Sequence, residues 1–405
     1  MPIILQLTVC FLMALIITVY IIPIIVRVNH SLKLFDKPNE RSSTNVPVPT
    51  LGGIAIFFSF VFVSTIGMIG YNMPELIFIL AATLLIFFVG LKDDLVNLSP
   101  RKKLVVEIIA AVILIFPAQI RFTTLHGLFG ISGIGIIPSV FLTAFVIIVI
   151  INAFNLTDGI DGLAASLSVM ISLILGTWFF LSSHIDYAIL SFALAGASGG
   201  FFYFNVYGKR NKIFMGDTGS LVLGTIISVL IIRFNEFNIN PTQPYAIESV
   251  PAISFGILAY PLIDVIRVMT IRILNRKSPF SADKNHLHHR LLTLGLSHRK
   301  ATLTILIANL LFILVLFTLH EIGILKLAIY IIMTGAILFL IPSLFIKKRN
   351  LIDKSDPVQQ ILIPGFNSDL IHKVTPNKIF VDEKPHRKES LHRIFFLLTS
   401  RFDSK

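Results

Sequence analysis

A chain of 405 residues that is 55% hydrophobic and only 14% charged holds more apolar side chains than a soluble core of that size needs, which excludes an ordinary water-soluble enzyme. The formal net charge of +12 is read as charge at a membrane surface, with no nucleic-acid partner implied. A lone cysteine, Cys10, excludes an intrachain disulfide.

The first apolar run, Ile3 to Val26, has no basic segment before it and is too long for a cleaved leader, so it reads as a retained span. At about 20 apolar residues per crossing, further windows fall at Leu51 to Ile69, Leu76 to Leu91, Leu104 to Ile120, Ser139 to Ala153, Leu163 to Leu181 and Tyr187 to Phe204. Leu221 to Ile232, expected to begin nearer Thr218, then Val250 to Met269, Ala301 to Leu319 and Leu327 to Ile346 complete the set. The expectation is an all-α polytopic integral membrane protein of about eleven transmembrane helices.

An odd number of spans puts the termini on opposite sides, and loop charge orients them. Alternate loops collect Arg27, Lys33, Lys37 and Arg41; Lys92, Arg101, Lys102 and Lys103; Lys209, Arg210 and Lys212; then Arg272 to Lys300 and Lys347 to Arg349. The other loops carry little beyond Arg121, Arg233 and Lys326. The N-terminus is therefore expected outside, the C-terminus in the cytoplasm, and every motif below on the cytoplasmic side of a plasma membrane. Residues 347–405 turn polar and read as a cytoplasmic tail, disordered or associated with the membrane surface through Leu391 to Phe402.

The first inside loop ends in VPVPTLGG, Val46 to Gly53. Its prolines stiffen the approach, and Gly52 and Gly53 either let backbone come near a ligand or pack the second helix on a neighbour. The second inside loop sets Asp93 and Asp94 at the end of a span, followed by Asn97, Arg101, Lys102 and Lys103. Positive-inside bias explains the bases but not the paired acids, which suit proton or metal handling beside phosphate-binding cations.

Between two apolar runs stands NLTDGIDGL, Asn155 to Leu163. Thr157 or Asp161 is a candidate cap for the sixth helix, but one cap needs one side chain. The surplus of Asn155, Asp158 and Asp161 at a membrane edge points to a ligand. FMGDTGS, Phe214 to Ser220, offers Asp217 as an N-cap or as a metal ligand at a helix start. DKNHLHHR, Asp283 to Arg290, clusters His286, His288, His289 and Arg290. Without cysteine or an HExxH pattern these favour phosphate and sugar contacts over zinc, and the hard oxygen donors elsewhere favour Mg²⁺ or Mn²⁺.

The ordered set GLKDDLVNLSPRKK, NAFNLTDGIDGLA, FMGDTGS and NHLHHRL resembles the polyprenyl-phosphate N-acetylhexosamine-1-phosphate transferases of glycosyltransferase family 4, in the WecA- and TagO-like branch related to the MraY translocases. The resemblance covers residues 1–346. It implies transfer of N-acetylhexosamine 1-phosphate, GlcNAc 1-phosphate foremost, from a UDP-sugar to undecaprenyl phosphate, with UMP released and a cell-envelope polysaccharide begun. It implies Asp217 and Asn155 as metal ligands, with Lys103 on phosphate and Asp93 and Asp94 on the lipid phosphate. It further implies Asp161 and the backbone near Gly159 at the uracil, Phe214 stacked on it, Thr50 and Asn97 bordering the substrates, and His286, His288, His289 and Arg290 on the diphosphate and sugar. Asp158 takes a supporting role. The rival class is an ion-coupled secondary transporter, disfavoured because the acids sit at span ends and not at the midplane. Oligomeric state, a homodimer included, stays open.

Overall fold

The computed structural model describes residues 2–32, 35–36, 48–240, 242–276, 286–335 and 337. The described residues all fall within one compact unit, 1–347. The polar tail with Leu391 to Phe402, the final residues of the eleventh window, Pro47 and Asp283 all lie outside the described residues.

Helices account for nearly everything described. They are α1 (Ile3–Leu32), α2 (Gly52–Gly67), α3 (Leu76–Val96), α4 (Pro100–Ile115), α5 (Ile136–Thr157), α6 (Leu163–Leu181) and α7 (Ile185–Tyr207). There follow α8 (Gly216–Phe237), α9 (Val250–Ile257), α10 (Ala259–Leu274), α11 (Leu287–Thr293) and α12 (His298–Thr318), then α13 (Ile324–Gly335). One two-stranded ladder, β1 (Phe35–Asp36) with β2 (Val48–Pro49), runs antiparallel beside them. Seven of the helices are long and apolar enough to cross a membrane, or eight with the bent pair α9 and α10 taken as one. The chain is an all-α polytopic membrane protein.

Burial separates a centre from a shell. The membrane-length window of α8 is 83% buried, against 28% for α1. The outward faces of α1, α5 and α12 leave Ile16, Phe141, Phe145 and Leu311 exposed, an apolar surface that only hydrocarbon suits. Around α8 pack α2, α3, α5, α6 and α9.

The window Val250 to Met269 is not one straight helix, because α9 and α10 meet at 78°. Pro261 has no N–H to continue the ladder, and its ring clashes with the carbonyl four residues back, at Ile257. The neighbouring Tyr260 N–H is instead taken by Asn309 Oδ1 of α12 at 3.2 Å. α8, too, begins earlier than its apolar run, at Gly216.

The helices alternate so that their motif-bearing ends meet. Gly52 N–H donates to Phe214 O and Gly53 N–H to Met215 O, both at 2.9 Å, while Phe214 N–H donates to Pro49 O at 2.9 Å. Residues 49–53 are thereby zipped along the start of FMGDTGS. A Cβ at Gly53 would stand 2.1 Å from the backbone nitrogen of Gly219, so this glycine lets α2 cross the start of α8. At the far end, Glu75, Tyr187 and Arg233 form a polar tie, with Arg233 Nε donating to the Tyr187 hydroxyl at 2.8 Å and Arg233 Nη2 3.4 Å from Glu75.

Gly53→Ala puts a methyl group against backbone that cannot swing aside, an overpacking cost of about 1–3 kcal/mol. The expected outcome is a lowered thermal midpoint of the detergent-purified protein, and an unchanged midpoint would show that α2 and α8 do not depend on this crossing.

Candidate functional site

The end of α3 divides its two acids between different tasks. Asp94 accepts the backbone N–H groups of Asp217 at 2.7 Å and Thr218 at 3.0 Å, and the Thr218 hydroxyl at 2.5 Å. It caps α8 from outside that helix, meeting orphan N–H groups and the positive end of the dipole. Asp217 stands in the first turn of α8 and is released from capping.

Asp93 turns the other way. Its Oδ2 lies 2.7 Å from Lys103 Nζ, and the same ammonium donates to Asp217 Oδ2. Of the three bases in the first turn of α4, Arg101 and Lys102 are exposed while Lys103 is half-buried, so the face it occupies selects Lys103. The Asp93 and Asp217 side chains reach one another, and Asn155 reaches Asp217. Asn155 Nδ2 also donates to Ser220 Oγ at 3.0 Å. The ends of α3 and α5 and the starts of α4 and α8 thus bring Asp93, Lys103, Asn155 and Asp217 together. Glu107, one turn beyond Lys103 and buried, accepts from Asn152 Nδ2 at 2.6 Å.

A second group forms where α5 turns into α6. Neither Thr157 nor Asp161 caps α6: its N-cap is Gly162, without a side-chain bond, and the Thr157 hydroxyl bonds back to Ala153 O. The Gly162 N–H is taken by Asn205 Oδ1 of α7. Asp161 Oδ2 is 2.6 Å from Lys212 Nζ and 3.4 Å from His298 Nδ1. Burial opposes its charge, but His298 and Lys212 outweigh that and hold its carboxyl below the usual range. Lys212 Nζ also stands 5.8 Å from the centroid of the Phe214 ring, so Asp161 and Phe214 border the same space.

Asp158 lies between the two groups. Burial, with Asp217, Asp94 and Asp161 as like charges, raises its pKa well above 3.8. Beside it His288 covers Gly159: a Cβ there would fall 2.2 Å from His288 Nε2, so the position has room only for glycine. His288 Nδ1 is 3.2 Å from the Tyr260 hydroxyl. Burial, then the neighbouring His289, pushes its pKa down to about 3, and the ring is neutral at ordinary pH.

His286 Nδ1 is bonded to Asp264 Oδ2 at 2.8 Å, and the rings of His286 and His288 stack at 5.6 Å, with His289 4.4 Å beyond His288. Arg290 is half-buried in α11. Thr50 presents its carbonyl to Asn29 Nδ2 of α1 at 2.5 Å. Asn97 ends α3 with φ of 52° and is exposed.

Several of these partners were not signalled by the sequence. Lys212 hides among bases that topology alone explains, His298 stands outside the histidine motif, and Asn205 and Tyr260 read as ordinary helix residues. Among the described residues no group of three or more His, Cys, Asp or Glu side chains is set to hold a metal ion. The donor set still suits a hard cation of the Mg²⁺ type, which takes one or two carboxylates and completes its shell with water and substrate phosphate. Asp217 with Asn155 supplies such oxygens, and the neighbouring Asp93 adds negative charge that one lysine alone balances.

Residues 76–235 match the model of glycosyl transferase family 4, the stretch that contains Asp93, Asp94, Lys103, Asn155, Asp158, Asp161 and Asp217. The undecaprenyl-phosphate α-N-acetylglucosaminyl 1-phosphate transferase of Escherichia coli K12 is 29% identical over 285 residues, 70% of this chain and 75% of that protein. The Salmonella typhi protein of the same name is 31% identical over 278 residues, 68% and 73% of the two chains. A probable undecaprenyl-phosphate N-acetylglucosaminyl 1-phosphate transferase of Bacillus subtilis is 30% identical over 308 residues, 76% and 83%.

A carboxyl with a raised folded-state pKa contributes stability that is full below its unfolded value and is lost as pH rises towards the folded one. Asp158→Asn removes that loss, so its thermal midpoint should match the parent near pH 4 and exceed it increasingly at neutral and alkaline pH. A difference that is constant with pH would mean that Asp158 ionises freely.

Proposed function

We propose, since the chain belongs to glycosyl transferase family 4, that it transfers N-acetylhexosamine 1-phosphate, GlcNAc 1-phosphate foremost, from a UDP-sugar to undecaprenyl phosphate and releases UMP. The observation that carries this reading is the Lys103 ammonium held between Asp93 and Asp217 at the meeting of four helix ends. A lipid phosphate anchored at a leaflet surface reaches such a place, and two anionic phosphates need cationic charge there in order to react.

In this reading about eleven spans place the N-terminus outside and the site on the cytoplasmic face of a bacterial plasma membrane. A phosphate oxygen of the lipid attacks the phosphorus that carries the sugar, the phosphoanhydride to the nucleoside phosphate breaks, and the electron pair leaves on UMP. Lipid phosphate is already anionic near neutral pH, its second pKa being about 6, so a single displacement needs no phosphorylated aspartate. Asp93 orients the attacking phosphate, and Lys103 moves from carboxylate to phosphate oxygen. Asp161, Lys212 and Phe214 receive the nucleotide base, Phe214 by stacking. Neutral His288 and its neighbours His286 and His289, with Arg290, face the diphosphate and sugar. Asp217 and Asn155 would hold Mg²⁺, which when bound would supply positive charge that screens the two phosphates from each other.

Membranes given labelled UDP-GlcNAc, undecaprenyl phosphate and Mg²⁺ should pass label into an extractable lipid with matching release of UMP. Lack of lipid product with every UDP-N-acetylhexosamine would overturn the reading. Asp217→Asn, folded and inserted as the parent is, should lose transfer on the order of 100-fold or more, and Asp217 has no part in holding the cation if activity at ordinary Mg²⁺ persists.

A further inference from the structure

The transfer reading leaves the buried ion group around Asp264 without a task. Asp264, on α10 just beyond the bend, is 4% exposed, and a carboxylate so placed persists only when its oxygens are well bonded. Its Oδ1 accepts the Leu287 backbone N–H at 3.0 Å and Arg267 Nη2 at 2.9 Å. Its Oδ2 accepts His286 Nδ1 at 2.8 Å. The carboxylate therefore holds both the ring of His286 and the first residue of α11, although Asp264 precedes them by more than twenty positions.

An ionised carboxylate only accepts, so Nδ1 of His286 must carry the proton of that bond and Nε2 is the nitrogen left to meet a ligand. The same α10 contributes Tyr260, whose hydroxyl bonds His288. One helix, α10, thus holds two members of the histidine motif. A link of this kind, carboxylate to imidazole to ligand, fixes ring orientation as well as tautomer.

We propose that Asp264 is a positioning residue for the donor substrate: by holding His286 Nδ1 and the Leu287 N–H it fixes the tautomer and orientation in which His286 presents Nε2 to the sugar diphosphate. The inference rests on the transfer reading above and adds to it which group aims the histidines. A carboxylate that merely tied α10 to α11 would affect both substrates alike, whereas one acting through His286 affects the nucleotide sugar.

The test uses the full chain in nanodiscs, with UDP-GlcNAc and undecaprenyl phosphate varied in turn, for the parent, Asp264→Asn, His286→Gln and the double variant. In Asp264→Asn, kcat/KM for the nucleotide sugar should fall on the order of 100-fold, chiefly through KM, with KM for the lipid phosphate unchanged. His286→Gln should show the same donor-selective loss, and the double variant should be no worse than either. Asp264→Glu, which keeps the carboxylate, should recover part of the loss. Equal losses for both substrates, or losses that multiply in the double variant, would overturn the proposal. Should Asp264→Asn fail to fold, a parent-like donor KM in His286→Gln overturns it alone. A parent inactive with every UDP-N-acetylhexosamine overturns the transfer reading and this proposal together, whereas an active parent with unaltered variants removes only the proposal.

Discussion

Lys103 holds two carboxylates from different helices with one ammonium, and the arrangement of charge around it follows from a shortage of cations. Asp93, Asp94, Asp158, Asp161 and Asp217 gather at one end of the bundle, where Lys103 and Lys212 are the lysines that bond them. Removing a carboxylate from water without a partner costs several kcal/mol, so each acid must find a separate solution. Asp94 uses the N-terminus of α8 as a substitute cation. Asp161 takes Lys212 and His298, Asp93 and Asp217 share Lys103, and Asp158, left over, is driven towards its neutral form.

That distribution requires helix ends to arrive at one place with little freedom. The apolar shell cannot supply such accuracy, because hydrocarbon outside and side chains inside are equally oily. Close backbone crossings and polar ties do so instead. Gly53 against Gly219 brings α2 onto α8, the paired backbones of residues 49–53 and 214–215 fix the approach, and the Glu75, Tyr187 and Arg233 group anchors the opposite ends. α8, buried along most of its length, is the element on which these constraints meet.

Much of this could be read from the sequence because membrane physics leaves strong marks: apolar length signals helices, and an acid at a span edge signals use. What stayed hidden was geometry between segments. The run Val250 to Met269 is apolar but for Ser254, Asp264 and Arg267, and a count of hydrophobic residues ignores the missing N–H of Pro261 that bends it. Asp93 and Asp94 are identical neighbours in the chain, yet consecutive side chains on a helix point about 100° apart, which sends one to Lys103 and the other to α8. Gly52 and Gly53 were ambiguous between ligand access and packing, and their closeness to Phe214 and Gly219 answers for packing. Lys212 and His298 could not be chosen, since a base in a basic loop carries no distinguishing pattern.

The resting pairing of Lys103 also bears on how the proposed reaction begins. With its ammonium already shared by two carboxylates, the lysine gains nothing from a phosphate unless those carboxylates acquire another cation. A hard divalent ion taken by Asp217 and Asn155 would release Lys103 to the phosphate, so ion and anionic substrate would favour each other's binding through the same residue. Such coupling is reciprocal: whatever the cation adds to phosphate affinity, phosphate must return to the cation. Asp217 would then serve in turn, as a partner of Lys103 without the cation and as a ligand of the cation with it, while Lys103 would pass to the phosphate.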